Sequence, residues 1–179
     1  MKCLFLSGSF HSKSRSLAIL KNLEAFFKDD NIVIPNLNEL PFYSEDYCEN
    51  KPNLVIDLVD HVEGSDGIVI CSPEYNHSIP AVLKNAIDWI SRPAYNSVLK
   101  NKPITIITQA SSSVGGARAQ AHIKLVLDAT LSKIHPCHEM MISGAEAIFD
   151  QNMQIIDEKV LRRLERHIGD FKEFIYKKR

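Results

Sequence analysis

Lys2-Cys3-Leu4-Phe5-Leu6-Ser7-Gly8-Ser9-Phe10-His11-Ser12-Lys13-Ser14-Arg15-Ser16 begins as a short apolar run, turns through a serine-rich loop and leads into an amphipathic segment. The run Lys2–Leu6 has the length and density of a buried strand. Beyond it, Leu17, Leu20, Leu23 and Phe27 form one stripe, with Lys21, Asn22, Glu24 and Lys28 opposite, which predicts a helix over Ser14–Lys28. The same unit recurs along the chain. Further strands are expected at Ile32–Pro35, Gly67–Ser72, Pro103–Ala110 and His135–Ile142, and further helices at Pro52–Glu63, Ala81–Ile90, Arg118–Lys133 and Asp157–Tyr176. The last helix carries Leu161, Leu164, Ile168, Phe171 and Ile175 on one side and ends in Lys177-Lys178-Arg179, which suits the negative end of its dipole. Such alternation predicts an α/β fold, a doubly wound five-stranded parallel sheet covered on both faces. The common small order is 2-1-3-4-5, which places ligands at the carboxyl ends of strands one and three.

A length of 179 residues with 45% hydrophobic side chains suits one core, so residues 1–179 are expected to form a single domain. The formal charge of −1, with acids and bases interspersed, offers no face for nucleic acid. No apolar stretch is long enough to span a bilayer, so no membrane partner is expected. Cys3, Cys48, Cys71 and Cys137 match neither a redox nor a zinc spacing. With no signal-peptide core at the start, the cytoplasm is the expected compartment.

The loop after the first strand puts serines beside a helix N-terminus, where backbone N–H groups point outward. That is the composition of a phosphate cradle. It is equally the composition of a turn in which Ser12 or Ser14 caps the helix. A P-loop is excluded, because the segment before Lys13-Ser14 is one residue short and has Ser12 where glycine belongs. The dinucleotide fingerprint is missing, and the second strand ends Ile34-Pro35-Asn36 without the acid that would hold a ribose. A phosphatase nucleophile is missing too, because the loop has no cysteine.

After the third strand the chain reads Ser72-Pro73-Glu74-Tyr75-Asn76-His77-Ser78-Ile79-Pro80. Two prolines fix the bend, and Tyr75 with Asn76 sets a flat ring beside an amide. Those groups can wall and orient a planar heterocycle with polar edges. The run Pro73-Glu74-Tyr75-Asn76 resembles the hallmark of the NAD(P)H-dependent FMN reductase family. Three further stretches are similar to that family: Gly8-Ser9 with Ser14, Leu40-Pro41-Phe42-Tyr43, and Gly115-Gly116-Ala117-Arg118-Ala119-Gln120.

The resemblance implies a flavodoxin-like fold and non-covalent FMN. It implies NADPH or NADH as electron donor, a flavin, quinone or similar small molecule as acceptor, and a homodimer or dimer of dimers. Ser9 and Ser14 would hold the phosphate, with His11 and Ser16 standing where relatives usually carry arginine and often carry asparagine. Pro73, Glu74, Tyr75 and Asn76 would line the isoalloxazine, and Gly115 or Gly116 would lie near its far edge. One serine of the shortened Ser111-Ser112-Ser113 segment would face the flavin, with Ser111 the candidate. The apolar content of Ala81–Ile90 and Arg118–Leu131 suggests an isologous interface.

Several residues are read as structural. His77, His135 and His138 with Cys71 or Cys137 could be taken for metal ligands, but ordinary surface or half-buried histidines are the simpler reading. Trp89 reads as core or dimer contact and Met140-Met141 as packing. Glu74 is read as a hydrogen-bonding residue, because hydride arrival at a flavin needs no protein acid. The competing functions are a flavodoxin-type single-electron carrier, whose acidic docking face a near-neutral chain lacks, and a flavin-binding regulatory or structural protein without turnover.

Overall fold

A computed structural model describes residues 1–28 and 30–177. Parallel strands β1 (Lys2–Ser7), β2 (Asn31–Val33), β3 (Gly67–Pro73) and β4 (Pro103–Gln109) alternate with α1 (Arg15–Leu23), α2 (Asn53–Glu63), α3 (Ala81–Ile90) and α4 (Ala117–Ala129). Two short strands, β5 (Lys133–Ile134) and β6 (Met140–Ile142), precede α5 (Glu158–Tyr176). The order is β2-β1-β3-β4-β5, with β6 also paired to β4, so the flavodoxin-like arrangement expected from the alternation is the one adopted.

The side-chain alternation of the strands explains the two helical layers. Cys3, Phe5, Val69, Cys71 and Ile107 face α1 and α5, where they pack on Ile19, Leu20, Leu23, Leu164, Ile168 and Phe171. Leu4, Leu6, Ile68, Ile70, Ile104 and Ile106 face α2, α3 and α4, against Leu58, Val62, Leu83, Ile87, Ile123 and Leu127. Both faces of every central strand are therefore apolar, as a sheet covered twice requires.

The fifth strand differs from its expected single span of His135–Ile142. β5 pairs Ile134 with Ile104, β6 pairs Met140 with Ile107, and residues 135–139 leave the sheet between them. Pro136 has no N–H to give a ladder, which explains a break there. The first helix is also shorter than its pattern, since Glu24–Phe27 tighten into a 3-10 turn that brings Phe27 edge-on to Phe5 at 5.3 Å. Of the basic C-terminal residues, Lys178 and Arg179 lie outside the described residues.

Trp89 is fully buried, and its indole N–H donates to the Pro41 carbonyl oxygen at 2.8 Å. Asn85 donates to the same oxygen at 3.0 Å and accepts from the Tyr43 N–H at 2.8 Å. The Leu40–Tyr43 segment is thus strapped to α3, and Trp89 is a core residue.

Candidate active site

The carboxyl ends of β1, β3 and β4 meet at one edge of the sheet. At the end of β1, the Gly8 N–H donates to the Cys71 carbonyl oxygen at 2.9 Å, which draws the first loop against β3. A Cβ on Gly8 would stand 2.6 Å from Ser72 Oγ and 3.1 Å from Ser72 Cα, so this approach requires glycine.

The loop that follows is fixed by its own serines. Ser7 Oγ donates to the Ser9 carbonyl oxygen at 2.9 Å, and Ser14 Oγ donates to the same oxygen at 3.2 Å. Ser14 is also the N-cap of α1, accepting from the Leu17 N–H at 3.1 Å. The first turn of a helix leaves N–H groups without helical acceptors. Those of Arg15 and Ser16 bond to no group among the described residues. His11 Nδ1 accepts from the Lys13 N–H at 3.1 Å, so its neutral ring carries the proton on Nε2.

From the second loop come Pro73, Glu74 and Tyr75. The Tyr75 and Ser78 backbones exchange N–H···O bonds of 2.9 Å across a two-residue turn, in which Asn76 and His77 have φ of +46° and +63°. Paired left-handed residues define a type I′ turn and explain an asparagine there. The Glu74 carboxylate reaches across to α4, accepting from the Arg118 N–H at 3.0 Å, the Ala119 N–H at 3.3 Å and the Arg118 guanidinium at 3.2 Å. Desolvation acts to raise its pKa, but the bonds from Ala119 and Arg118 outweigh it and hold the carboxyl below its usual value.

The third loop leaves β4 through Gln109 and Ala110. Ser111 Oγ donates to Glu146 at 2.7 Å and accepts from Arg15 at 3.2 Å. Arg15 pairs with Glu146 at 3.2 Å, and the Ser111 bond followed by the Arg15 charge lowers the Glu146 pKa. Gly116, with φ of +82°, begins α4, and a Cβ there would meet the Thr108 Cβ at 3.0 Å.

The three loops enclose a cavity of about 540 Å³. Ser9, His11, Ser14, Pro73, Glu74, Tyr75 and Ser111 all line it, so seven of the ten residues singled out in the sequence meet in one place. The other three lie elsewhere. Ser16 is fully buried, and its hydroxyl accepts from Gln109 at 3.1 Å, tying α1 to β4. Asn76 sits at the tip of its turn, and Gly115 is buried behind the third loop, its carbonyl oxygen accepting from Thr108 at 3.0 Å.

Lys13, Arg15, Gln109 and Ala110, none of them singled out from the sequence, complete the lining with Ser112, one of the three serines from which the flavin-facing one was expected. Arg15 carried a readable signal. A cation in the first turn of a helix opposes the dipole, so it implies a nearby anion. Cys71, beneath the cavity floor, has its thiol pushed up to about 12 by burial and is no nucleophile.

Residues 1–147 match the family described as NADPH-dependent FMN reductase. The chain is 32% identical over 175 residues to the NADH:(hydroxy)cinnamate reductase subunit CrdA of Vibrio ruber, covering 96% of this chain and 85% of that one. It is 34% identical over 145 residues to a quinone reductase of Escherichia coli K12, covering 79% and 77% respectively. Among solved structures, the flavoenzyme NAD(P)H:(acceptor) oxidoreductase FerB of Paracoccus denitrificans superposes with a TM-score of 0.90 at 29% identity, covering 98% of this chain and 97% of that one.

Proposed function

The chain belongs to the NADPH-dependent FMN reductase family, and we propose that its three-loop cavity is where FMN sits, NAD(P)H delivers electrons and a small acceptor collects them. It is an FMN-dependent oxidoreductase that moves two electrons from NAD(P)H to a flavin, a quinone or a similar small molecule. The observation that carries the assignment of the site is the convergence of an anion cradle and flat apolar walls in one cavity. Its size lies within the roughly 300–1,000 Å³ of small-molecule sites.

FMN, when bound, would supply the two-electron redox chemistry. The protein's share is position and charge. The Ser9 hydroxyl and the first-turn N–H of Arg15 would hold the phosphate, with Lys13 and Arg15 balancing its charge. Ser14 serves mainly by shaping the loop, because its proton is committed to the Ser9 carbonyl. With Nδ1 taken up by the Lys13 N–H, His11 would offer Nε2 to the phosphate. Ser16, fully buried, contributes by tying α1 to β4 through Gln109. Pro73 and Tyr75 form a wall, and Glu74 fixes that wall to α4 without relaying protons. The single-electron carrier reading loses ground to a family of NAD(P)H-oxidising enzymes.

The test is direct. FMN-loaded protein mixed with NADPH or NADH without oxygen should lose its flavin colour, and added quinone should restore it. Protein whose spectrum neither nicotinamide changes would overturn the reading.

A homodimer, alone or paired into a dimer of dimers, completes the proposal. The apolar residues of α3 are spent internally, but α4 leaves Leu125 70% exposed, close in sequence to the exposed Leu131. Tyr95, 76% exposed, shares with Val126 a cleft of about 300 Å³ between α3 and α4. An isologous contact through this face is expected. Leu125→Glu should then halve the mass found by light scattering at micromolar concentration, and a wild type that is already monomeric would refute the contact. Among the described residues no helix is long and apolar enough to cross a membrane. We place the protein in the cytoplasm, where NAD(P)H is available and its four free thiols stay reduced.

A further inference from the structure

The buried stripe of α5 runs Val160, Leu164, His167, Ile168, Phe171 and Ile175, so a histidine stands where an aliphatic side chain would pack. Facing it on β4 is Thr105, also fully buried. Thr105 Oγ1 lies 2.7 Å from His167 Nε2 and 3.1 Å from His135 Nδ1. His135 follows β5, where its N–H makes a last bond to the Ile104 carbonyl oxygen at 2.8 Å. Two residues on stands Cys137, half-buried. The ligand atoms of His135, Cys137 and His167 all lie within 4.8 Å of one another. Leucine at 167 and valine at 105 would fill this layer with no polar group to desolvate. The break between β5 and β6 is therefore more polar than packing calls for.

We propose that His135, Cys137 and His167 bind one thiophilic transition-metal ion of the zinc class, with a further coordination position open to the adjoining cavity. Two imidazoles and a thiolate are the donor types zinc selects. A tetrahedral zinc ion asks for roughly 3.3–3.6 Å between such donors. Closing the cluster by about an ångström is within reach of the half-buried Cys137 side chain. The His135 ring is held 5.6 Å from Phe171 and 5.4 Å from Phe174. The adjoining cavity, about 520 Å³, is lined by Asp170, Glu139 and Glu173 as well as Arg163 and Arg166, so a cation meets acids there too.

The ion would join α5 to the edge of the sheet. Thr105 and Gln109 are four residues apart on β4, about 13 Å at strand rise, so the metal would act on the fold and not on the flavin. This site is independent of the reductase reading.

The test uses the full-length FMN-loaded protein, stripped with a chelator and dialysed against Zn²⁺ with metal analysis. One ion per chain is expected. Thermal unfolding should shift upward by roughly 5–10 °C when Zn²⁺ is a hundredfold above its Kd. Cys137→Ser and His167→Gln should each weaken binding by at least about a hundredfold. Cys48→Ser should bind as the wild type does. Co²⁺ should give a thiolate charge-transfer band in the difference spectrum that Cys137→Ser lacks. If His167→Gln fails to fold, judged by lost flavin colour, Cys137→Ser decides alone. Absence of stoichiometric Zn²⁺, or unchanged binding by Cys137→Ser, would overturn the proposal.

Discussion

Gly8→Val is expected to weaken FMN binding by roughly ten- to hundredfold, the equivalent of about 1.4–2.8 kcal/mol. The cause is steric. Gly8 lies where the loops after β1 and β3 come closest, with its N–H on the Cys71 carbonyl and Ser72 directly above its Cα. Ser72 is fully buried, and its hydroxyl donates to the Pro73 carbonyl oxygen at 2.9 Å. A single added carbon collides first with that hydroxyl, so Gly8→Ala should cost one hydrogen bond and have a smaller effect. Valine also presses on the Ser72 backbone, and relief separates the phosphate loop from the Pro73–Tyr75 wall. Fluorescence titration with FMN measures the loss, and unchanged far-ultraviolet circular dichroism would show that the sheet survives. A Kd within twofold of the wild type would mean that this contact does not shape the cavity.

Glu74→Ala is expected to lower the melting temperature by roughly 4–8 °C, for a loss of about 2 kcal/mol, and FMN affinity should fall with it. The Glu74 side chain is only 12% exposed, and two of its acceptor contacts are with backbone N–H groups at the start of α4. Those bonds satisfy donors that the helix cannot, and they place a negative charge at its positive end. The Arg118 guanidinium adds less, because that side chain is half exposed and its attraction is screened by water. The carboxyl pKa is held down in the folded state. Its contribution is therefore complete above the unfolded value of about 4.3 and fades as pH falls through the lower folded value. The melting temperatures of the wild type and Glu74→Ala should thus differ by a constant amount near neutrality and draw together as pH falls below the unfolded value and through the lower folded one. A difference that persists into acid would mean that the charge is not what fixes the loop.

The legibility of the site differed from residue to residue for a physical reason. Ser9, His11, Pro73 and Tyr75 were readable because they follow directly on apolar runs, and in a doubly wound sheet the strand ends are where a ligand binds. Ser16 followed from the same reasoning, and it does not line the cavity. Sequence spacing puts it one helical step beyond the loop, but its side chain turns toward Gln109, a partner 93 residues away. Glu74 could be recognised as a hydrogen-bonding residue, but not as a ligand of the α4 N-terminus, since that needs the loop and the helix to be adjacent in space. Asn76 was taken for a ligand contact, and its φ of +46° gives it a local reason to be there.

The sequence by itself determined the element order, the parallel sheet and its two apolar faces. Those follow from side-chain period over a few residues, and a period of two or of 3.6 is set by backbone geometry alone. It also pointed to the loops after β1 and β3, whose residues line the cavity. Tertiary structure decided what no local pattern contains. It paired Arg15 with Glu146 across Ser111, and brought His135 and Cys137 beside His167. Each of these joins residues far apart in the chain. Such contacts depend on which helix lands on which strand, and on whether a buried polar atom finds its partner there.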